Sequence, residues 1–326
     1  MRAIIPVAGI GTRLRPHTYT LPKVLLNVAG KPILGHILDE LEQQGVKEIT
    51  VIVGYLSELV EEFVRTHYSF DATFVLQEER KGLGHSIWMA RESYSDDEPV
   101  LIILGDTIFE FKLDDATKDG TSSLGVKEVE DPRRFGVVET DGKFITKLVE
   151  KPEHPKSNLA IVGLYYIHNS GLLKECLNEL VENDIKTRGE YQLTDALQLM
   201  IDKGEKFTTF GVDGWFDCGK SDTMLETNRF LLDRKSRSAD IPETIIIPPV
   251  YIGTGAEIER SVIGPYATIA QGAKVKNSII RNSIVGDDAS VSSMILENSI
   301  IGNSASVRGH FSQFNVGDSS EINSSK

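Results

Sequence analysis

Short, almost unbroken apolar runs alternate with amphipathic stretches over the first third of the chain. Residues 3–7, 48–54, 73–76 and 100–104 read as strands. Segments 57–66 and 84–93 carry helical periodicity, the first opened by Ser57 as a cap. Nearly continuous apolar strands between helices predict a mostly parallel sheet covered on both faces. Ligands of such sheets sit beyond the carboxyl ends of the strands, which is where residues 9–13 and Asp106 fall. Between Ser122 and His168 the strands shorten, at 136–139, 143–149 and 161–167, and predict an antiparallel addition. Helices are expected over 170–181, 192–202 and 221–232.

After Arg237 the helical pattern stops. A unit of aliphatic, Gly or Ala, two variable residues, Ala, one variable residue and aliphatic recurs at 252–258, 263–269, 269–275, 285–291 and 301–307. Aliphatics at this period with small residues at the corners suit a parallel β-helix. A run of sandwich strands would not repeat one pattern in this way. The repeats resemble the left-handed hexapeptide β-helix. Some such helices carry acyltransferase sites that use a histidine, but the only histidine here is His310, so assembly or regulation is the expected role.

Chemistry concentrates between Gly9 and Lys23. Gly9 and Gly11 let backbone amides approach an oxyanion, and Arg13 with Lys23 beside Pro22 supplies positive charge. Leu14 stands where a dinucleotide-binding loop needs its third glycine, and no Gly-Lys-Ser/Thr follows, so this is a phosphate loop of another kind.

The run Gly9-x-Gly11-Thr12-Arg13-Leu14-x-Pro16-x-Thr18-x-x-x-Pro22-Lys23 resembles the signature of the sugar-1-phosphate nucleotidyltransferases, on the glucose-1-phosphate thymidylyl/uridylyl branch. The block 28–33 and the later segments 82–86, 104–106, 150–152 and 215–219 match that family in order, so the resemblance covers roughly residues 1–235. It implies a Rossmann-like α/β catalytic domain over 1–240, with a nucleotide half to about 120 and a sugar-binding half over 121–220. The left-handed β-helix would then occupy 241–326. The implied reaction transfers a nucleoside monophosphate from UTP or dTTP to glucose 1-phosphate.

In that scheme Arg13, Lys23 and Lys151 are catalytic; Gly9, Gly11, Thr12, Gln77 and Gly82 bind the nucleotide. Gly136, Glu150, Gly163 and Arg188 bind the sugar phosphate, and Asp106 and Asp217 hold Mg2+. Thr107 departs from the Asn that many members carry beside the metal carboxylate. His85 is expected to cap or pack, Cys218 to be a small buried residue, and Trp215 and Phe216 to be core. Mannose 1-phosphate with GTP stays open, because a hexapeptide tail also occurs among those relatives. So does a catalytically silent sensing paralogue, although such chains usually lose the metal Asp or the phosphate Arg, and both are present.

Composition narrows the partners. Thirty-five basic against forty-eight acidic side chains leave a formal charge of −13, which argues against nucleic acid. Anionic substrates therefore need local cations. No apolar run approaches membrane length, and two cysteines make neither a disulfide framework nor a zinc motif. A cytoplasmic homo-oligomer away from membranes is the expectation.

Overall fold

The computed structural model describes residues 1–237 and 240–310, and the chain divides into two compact units, Met1–Thr227 and Asn228–Lys326. Residues 311–326 of the expected tail lie outside the described residues.

The first unit opens with β1 (Arg2–Pro6), the hairpin β2 (Asn27–Val28) and β3 (Lys31–Pro32), and α1 (Ile33–Gln43). Then come β4 (Glu48–Val53), α2 (Ser57–His67), β5 (Asp71–Leu76), α3 (Leu83–Met89) and β6 (Val100–Ile103). Four of these strands pair in parallel in the order β5-β4-β1-β6. Ile4, Ile5, Ile49, Ile52, Leu101 and Ile102 are fully buried, as expected of strands covered on both faces. Ser57 is not the cap of α2: Leu56 holds that place in a left-handed conformation without a side-chain cap bond. The segment 84–93 forms one helix only to Met89 and then a single 3-10 turn, Arg91–Ser93.

The second half adds β7 (Thr107–Glu110), α4 (Leu113–Thr117), β8 (Ser122–Glu128), β9 (Gly136–Asp141), β10 (Phe144–Glu150) and β11 (Leu159–Ile167). Next come α5 (Ser170–Glu182), α6 (Leu193–Asp202), β12 (Phe207–Gly211), β13 (Gly214–Asp217) and α7 (Ser221–Lys235), within which the boundary between the units falls. Five of these strands extend the sheet to nine, continuing from β6 as β11-β8-β12-β10-β9. The addition is not wholly antiparallel. β12 runs parallel to β8 from Phe207 against Ser122, because α5 and α6 intervene and return the chain to the end from which β8 starts. The remaining strands, β7 and β13, form a separate antiparallel ribbon that pairs Thr107 with Asp217.

The second unit is a left-handed parallel β-helix of three four-stranded faces. Val250, Ala267 and Ser283 stack on one face, and Ile258, Val275 and Val291 on another. Partners lie sixteen or seventeen residues apart, because steps of five such as Val275 to Ile280 alternate with the expected steps of six. The corners need left-handed backbone, and Asn277, Asn282, Asp288 and Asn298 supply it at low cost. Val250, Ile263, Ile269, Val275, Ile280, Val285 and Val291 fill the interior with no exposure.

Candidate active site

The loop after β1 is built around Gly11. Its φ is 69°, and a Cβ there would lie 2.9 Å from Cβ of Lys23, so the position demands glycine twice over. The Thr18 hydroxyl donates to the Gly11 carbonyl at 2.9 Å and closes the loop. At Gly9 nothing stands within 4 Å of an added Cβ, which leaves the backbone open to an approaching group. Lys23 is only 7% exposed, and its Nζ donates to Oδ2 of Asp106 at 2.7 Å. A buried ammonium requires such a partner.

Asp106 sits in the turn joining β6 to β7, and Asp217 ends β13. Two contacts draw them together: the β7–β13 ribbon, and the Cys218 amide donating to the Asp106 carbonyl at 3.1 Å. Thr107 Oγ1 donates to Asp106 Oδ1 at 3.3 Å, and the Gly219 amide donates to Asp217 Oδ1 at 2.8 Å. A Cβ on Gly219 would touch both Asp217 Oδ1 at 2.7 Å and Arg13 Nη2 at 3.0 Å, so the guanidinium lies over the same glycine. Arg13 has no ion-pair partner among the described residues. Burial pushes the Cys218 thiol up to about 12, which removes it as a nucleophile.

Two cavities meet at this cluster and share Arg13, Asp106, Leu83, Leu104 and Glu190. The smaller, about 450 Å³, is lined by Gly9, Gly11, Thr12, Lys23, Gln77 and Gly82. The larger, about 740 Å³, is lined by Gly136, Glu150, Lys151, Gly163 and Asp217. Gly163 has φ 94° and a Cβ there would meet Leu104 Cδ1 at 2.5 Å. Glu150 accepts from Thr194 Oγ1 at 2.8 Å and pairs with Lys151 Nζ at 2.8 Å.

One expected residue is elsewhere. Arg188 is exposed, lines neither cavity, and donates through Nη2 to the Lys151 carbonyl at 2.8 Å. Trp215 and Phe216 are not core: both are half-buried and line the larger cavity, with the Trp215 ring edge-on to Phe135 at 5.0 Å. His85 lies within α3 and packs between Trp88 and Tyr191, so it is a packing residue and not a cap. Sequence reasoning passed over Arg80 in the smaller cavity and Arg134 and Lys220 in the larger. Arg134 precedes Phe135-Gly136 and Lys220 follows Asp217-Cys218-Gly219, so adjacency to assigned positions was the available signal.

Among the described residues, no three His, Cys, Asp or Glu side chains cluster as a metal cage. The donor set is two hard carboxylates beside open cavities, which suits Mg2+ bound partly through substrate phosphates and water. No helix of the described residues is long and apolar enough to cross a membrane.

Comparison with known proteins gives consistent matches. The nucleotidyl transferase family model matches residues 2–234, and a GlmU-like, C-terminal hexapeptide model matches residues 227–315. The chain is 34% identical over 250 residues to the UTP–glucose-1-phosphate uridylyltransferase AglF of Haloferax volcanii, covering 74% of this chain and all of that one. It is 40% identical over 252 residues to the bifunctional protein GlmU of Methanocaldococcus jannaschii, covering 76% of this chain but 59% of that protein. Among solved structures, a UDP-glucose pyrophosphorylase complexed with UDP-glucose aligns with a TM-score of 0.63. That match covers 72% of this chain and 99% of the other at 24% identity, a likeness of fold.

Proposed function

The chain belongs to the nucleotidyl transferase family, and from that premise we propose that it transfers a nucleoside monophosphate from UTP or dTTP to glucose 1-phosphate, releasing pyrophosphate. The observation that carries this reading is the cluster of Arg13, Lys23, Asp106 and Asp217 at the junction of two cavities. A phosphate oxygen of the sugar phosphate attacks the α-phosphorus as the bond to the β-phosphate oxygen breaks. Its nucleophile is already anionic at neutral pH, so no general base is needed and positioning with charge neutralisation does the catalysis.

The triphosphate lies in the smaller cavity, with its phosphates over the Gly9 and Gly11 amides and its β- and γ-phosphates on Arg13. Lys23 faces the α-phosphate from its place against Asp106. Lys151 balances the sugar phosphate, Glu150 accepts from sugar hydroxyls, and Gly136 and Gly163 let the ring lie against backbone. Asp106 and Asp217 would hold Mg2+, which when bound supplies positive charge to the phosphates. Arg188 holds the Lys151 main chain and acts on the sugar phosphate through it.

We assign the catalytic domain to residues 1–240 and the repeats, 241–326, to assembly or control of a cytoplasmic homo-oligomer. In support, an outward ladder of Ile245, Val262, Ile279 and Ile295 leaves Ile245 and Ile295 62% and 69% exposed, a surface suited to a second copy of the chain. Pyrophosphate release from UTP, dTTP, GTP and CTP against glucose, galactose, mannose and N-acetylglucosamine 1-phosphates tests the reaction. UTP and dTTP with glucose 1-phosphate are the expected pairs, and no turnover with any pair in Mg2+ would sink the proposal.

A further inference from the structure

One carboxylate at the meeting of the two cavities is left unused by the reaction scheme. Glu190 lines both cavities, and its main chain closes a tight turn. The Thr187 amide donates to the Glu190 carbonyl at 3.0 Å, and the Glu190 amide donates to the Thr187 carbonyl at 3.2 Å. The residue that follows pins this turn against the start of α3. There the Tyr191 amide donates to the Lys81 carbonyl, and the Gly84 amide donates to the Tyr191 carbonyl, each at 2.8 Å. A Cβ on Gly82 would lie 2.9 Å from Glu190 Cβ and 2.5 Å from the Tyr191 carbonyl oxygen, so glycine lets the turn sit this close.

The Glu190 side chain is exposed and only half used. Its Oε2 accepts from Gln192 Nε2 at 3.2 Å, while no described residue donates to Oε1. Nor does it pair with Arg13 among the described residues, although both line the same two cavities. A carboxylate beside a polyphosphate site repels the phosphates, and it can only accept hydrogen bonds. It suits a ligand group that brings a donor without bringing negative charge. A hydroxyl does so.

We infer that Glu190 accepts from the ribose hydroxyls of the triphosphate, the 2′-hydroxyl among them, and so selects ribonucleotides over 2′-deoxyribonucleotides. The sugar phosphate comes from the larger cavity, so the α-phosphorus that it attacks lies where the cavities meet. The pentose is bonded to that phosphate, and its hydroxyls are the donors within reach. The turn packs beside Gly82, which lines only the smaller cavity, whereas Glu150 serves the hexose hydroxyls in the larger. A hydroxyl donating to a carboxylate makes a charge-assisted bond, the chemistry by which an acidic residue holds ribose in dinucleotide sites. Of the two triphosphates proposed above, UTP is then bound more tightly than dTTP. This inference rests on the smaller cavity being the nucleotide site of the transferase proposed above.

Calorimetric binding of UTP and of 2′-deoxy-UTP to the full chain, each with Mg2+ and without sugar phosphate, tests it apart from turnover. The unmodified protein is expected to bind UTP about tenfold tighter than 2′-deoxy-UTP. Glu190→Ala should weaken UTP about tenfold and 2′-deoxy-UTP less than about threefold, with thermal unfolding unchanged. Glu190→Gln keeps an acceptor oxygen without the charge, and should lower the preference only about threefold. Equal affinity for the two nucleotides in the unmodified protein overturns the inference, and so does a preference that survives Glu190→Ala. Tighter binding of both nucleotides by that variant would show a carboxylate that only repels phosphate, and overturns it too. So does a raised KM for glucose 1-phosphate with UTP affinity unchanged, which would put Glu190 on the hexose. A UTP preference that depends on Glu190, without pyrophosphate release from any sugar phosphate, would sink the transferase reading and leave ribose recognition standing.

Discussion

The two cavities of the first unit are assembled in opposite ways. The smaller one draws on the ends of neighbouring parallel strands: the loop after β1, Gln77 just past β5, and Asp106 just past β6. The larger one gathers Arg134, Lys151, Thr194, Trp215 and Lys220 from segments that the sheet brings together only after β8 to β13 have crossed one another. Cavity-facing residues at strand ends inherit their position from a regular fold, whereas a wall made of several connections depends on every one of them.

Asp217→Asn strikes where the two cavities meet, and is expected to have the largest effect. Turnover measured as pyrophosphate release should fall about a thousandfold while thermal unfolding stays unchanged within a degree or two, because the side chain is isosteric and half-exposed. Near-normal Mg2+-dependent rates would mean that β7 and β13 bring the carboxylates together for structural reasons only.

Within the smaller cavity, two glycines separate folding from binding. Gly11→Ala forces a side chain into left-handed backbone and against Lys23, and should cost about 2 kcal/mol, a fall in Tm of about 4–8 °C for a unit of this size. Gly9→Ala meets open space, so Tm should hold within about 1 °C while the KM for the triphosphate rises about tenfold. Equal Tm losses would show that both glycines serve the fold.

The smallest effect is expected at the rim of the larger cavity. Arg188→Ala removes a prop from the Lys151 carbonyl, not a contact inside the cavity. The kcat/KM for sugar phosphate should drop less than about threefold. A loss beyond about thirtyfold would place the guanidinium on the phosphate itself.

Legibility in the sequence followed the same division. Gly9, Gly11, Thr12, Arg13, Lys23, Gln77, Gly82 and Asp106 all line the smaller cavity, because a glycine-containing loop and a strand end are local patterns. In the larger cavity Gly136, Glu150, Lys151 and Gly163 were readable from resemblance, but Trp215 and Phe216 looked like core. Aromatic residues in a short strand carry no signal of which neighbour covers them. Ser57 failed as a cap because Leu56 takes the left-handed turn into α2, a backbone choice that the side-chain pattern does not encode.

By its own periodicity the chain determined the parallel first part of an α/β sheet and a β-helix, since apolar spacing directly records which faces are buried. Glycine placement likewise determined the tight, open loop after β1. Resemblance paired Asp106 with Asp217, but only the tertiary structure shows how they meet, through the pairing of Thr107 with Asp217 on a ribbon outside the main sheet. It also decided that Arg188 braces a backbone and that the Ser86 hydroxyl is buried without a hydrogen-bond partner among the described residues. Direction and partnership of a side chain depend on what long-range pairing places opposite it, and no local spacing carries that information.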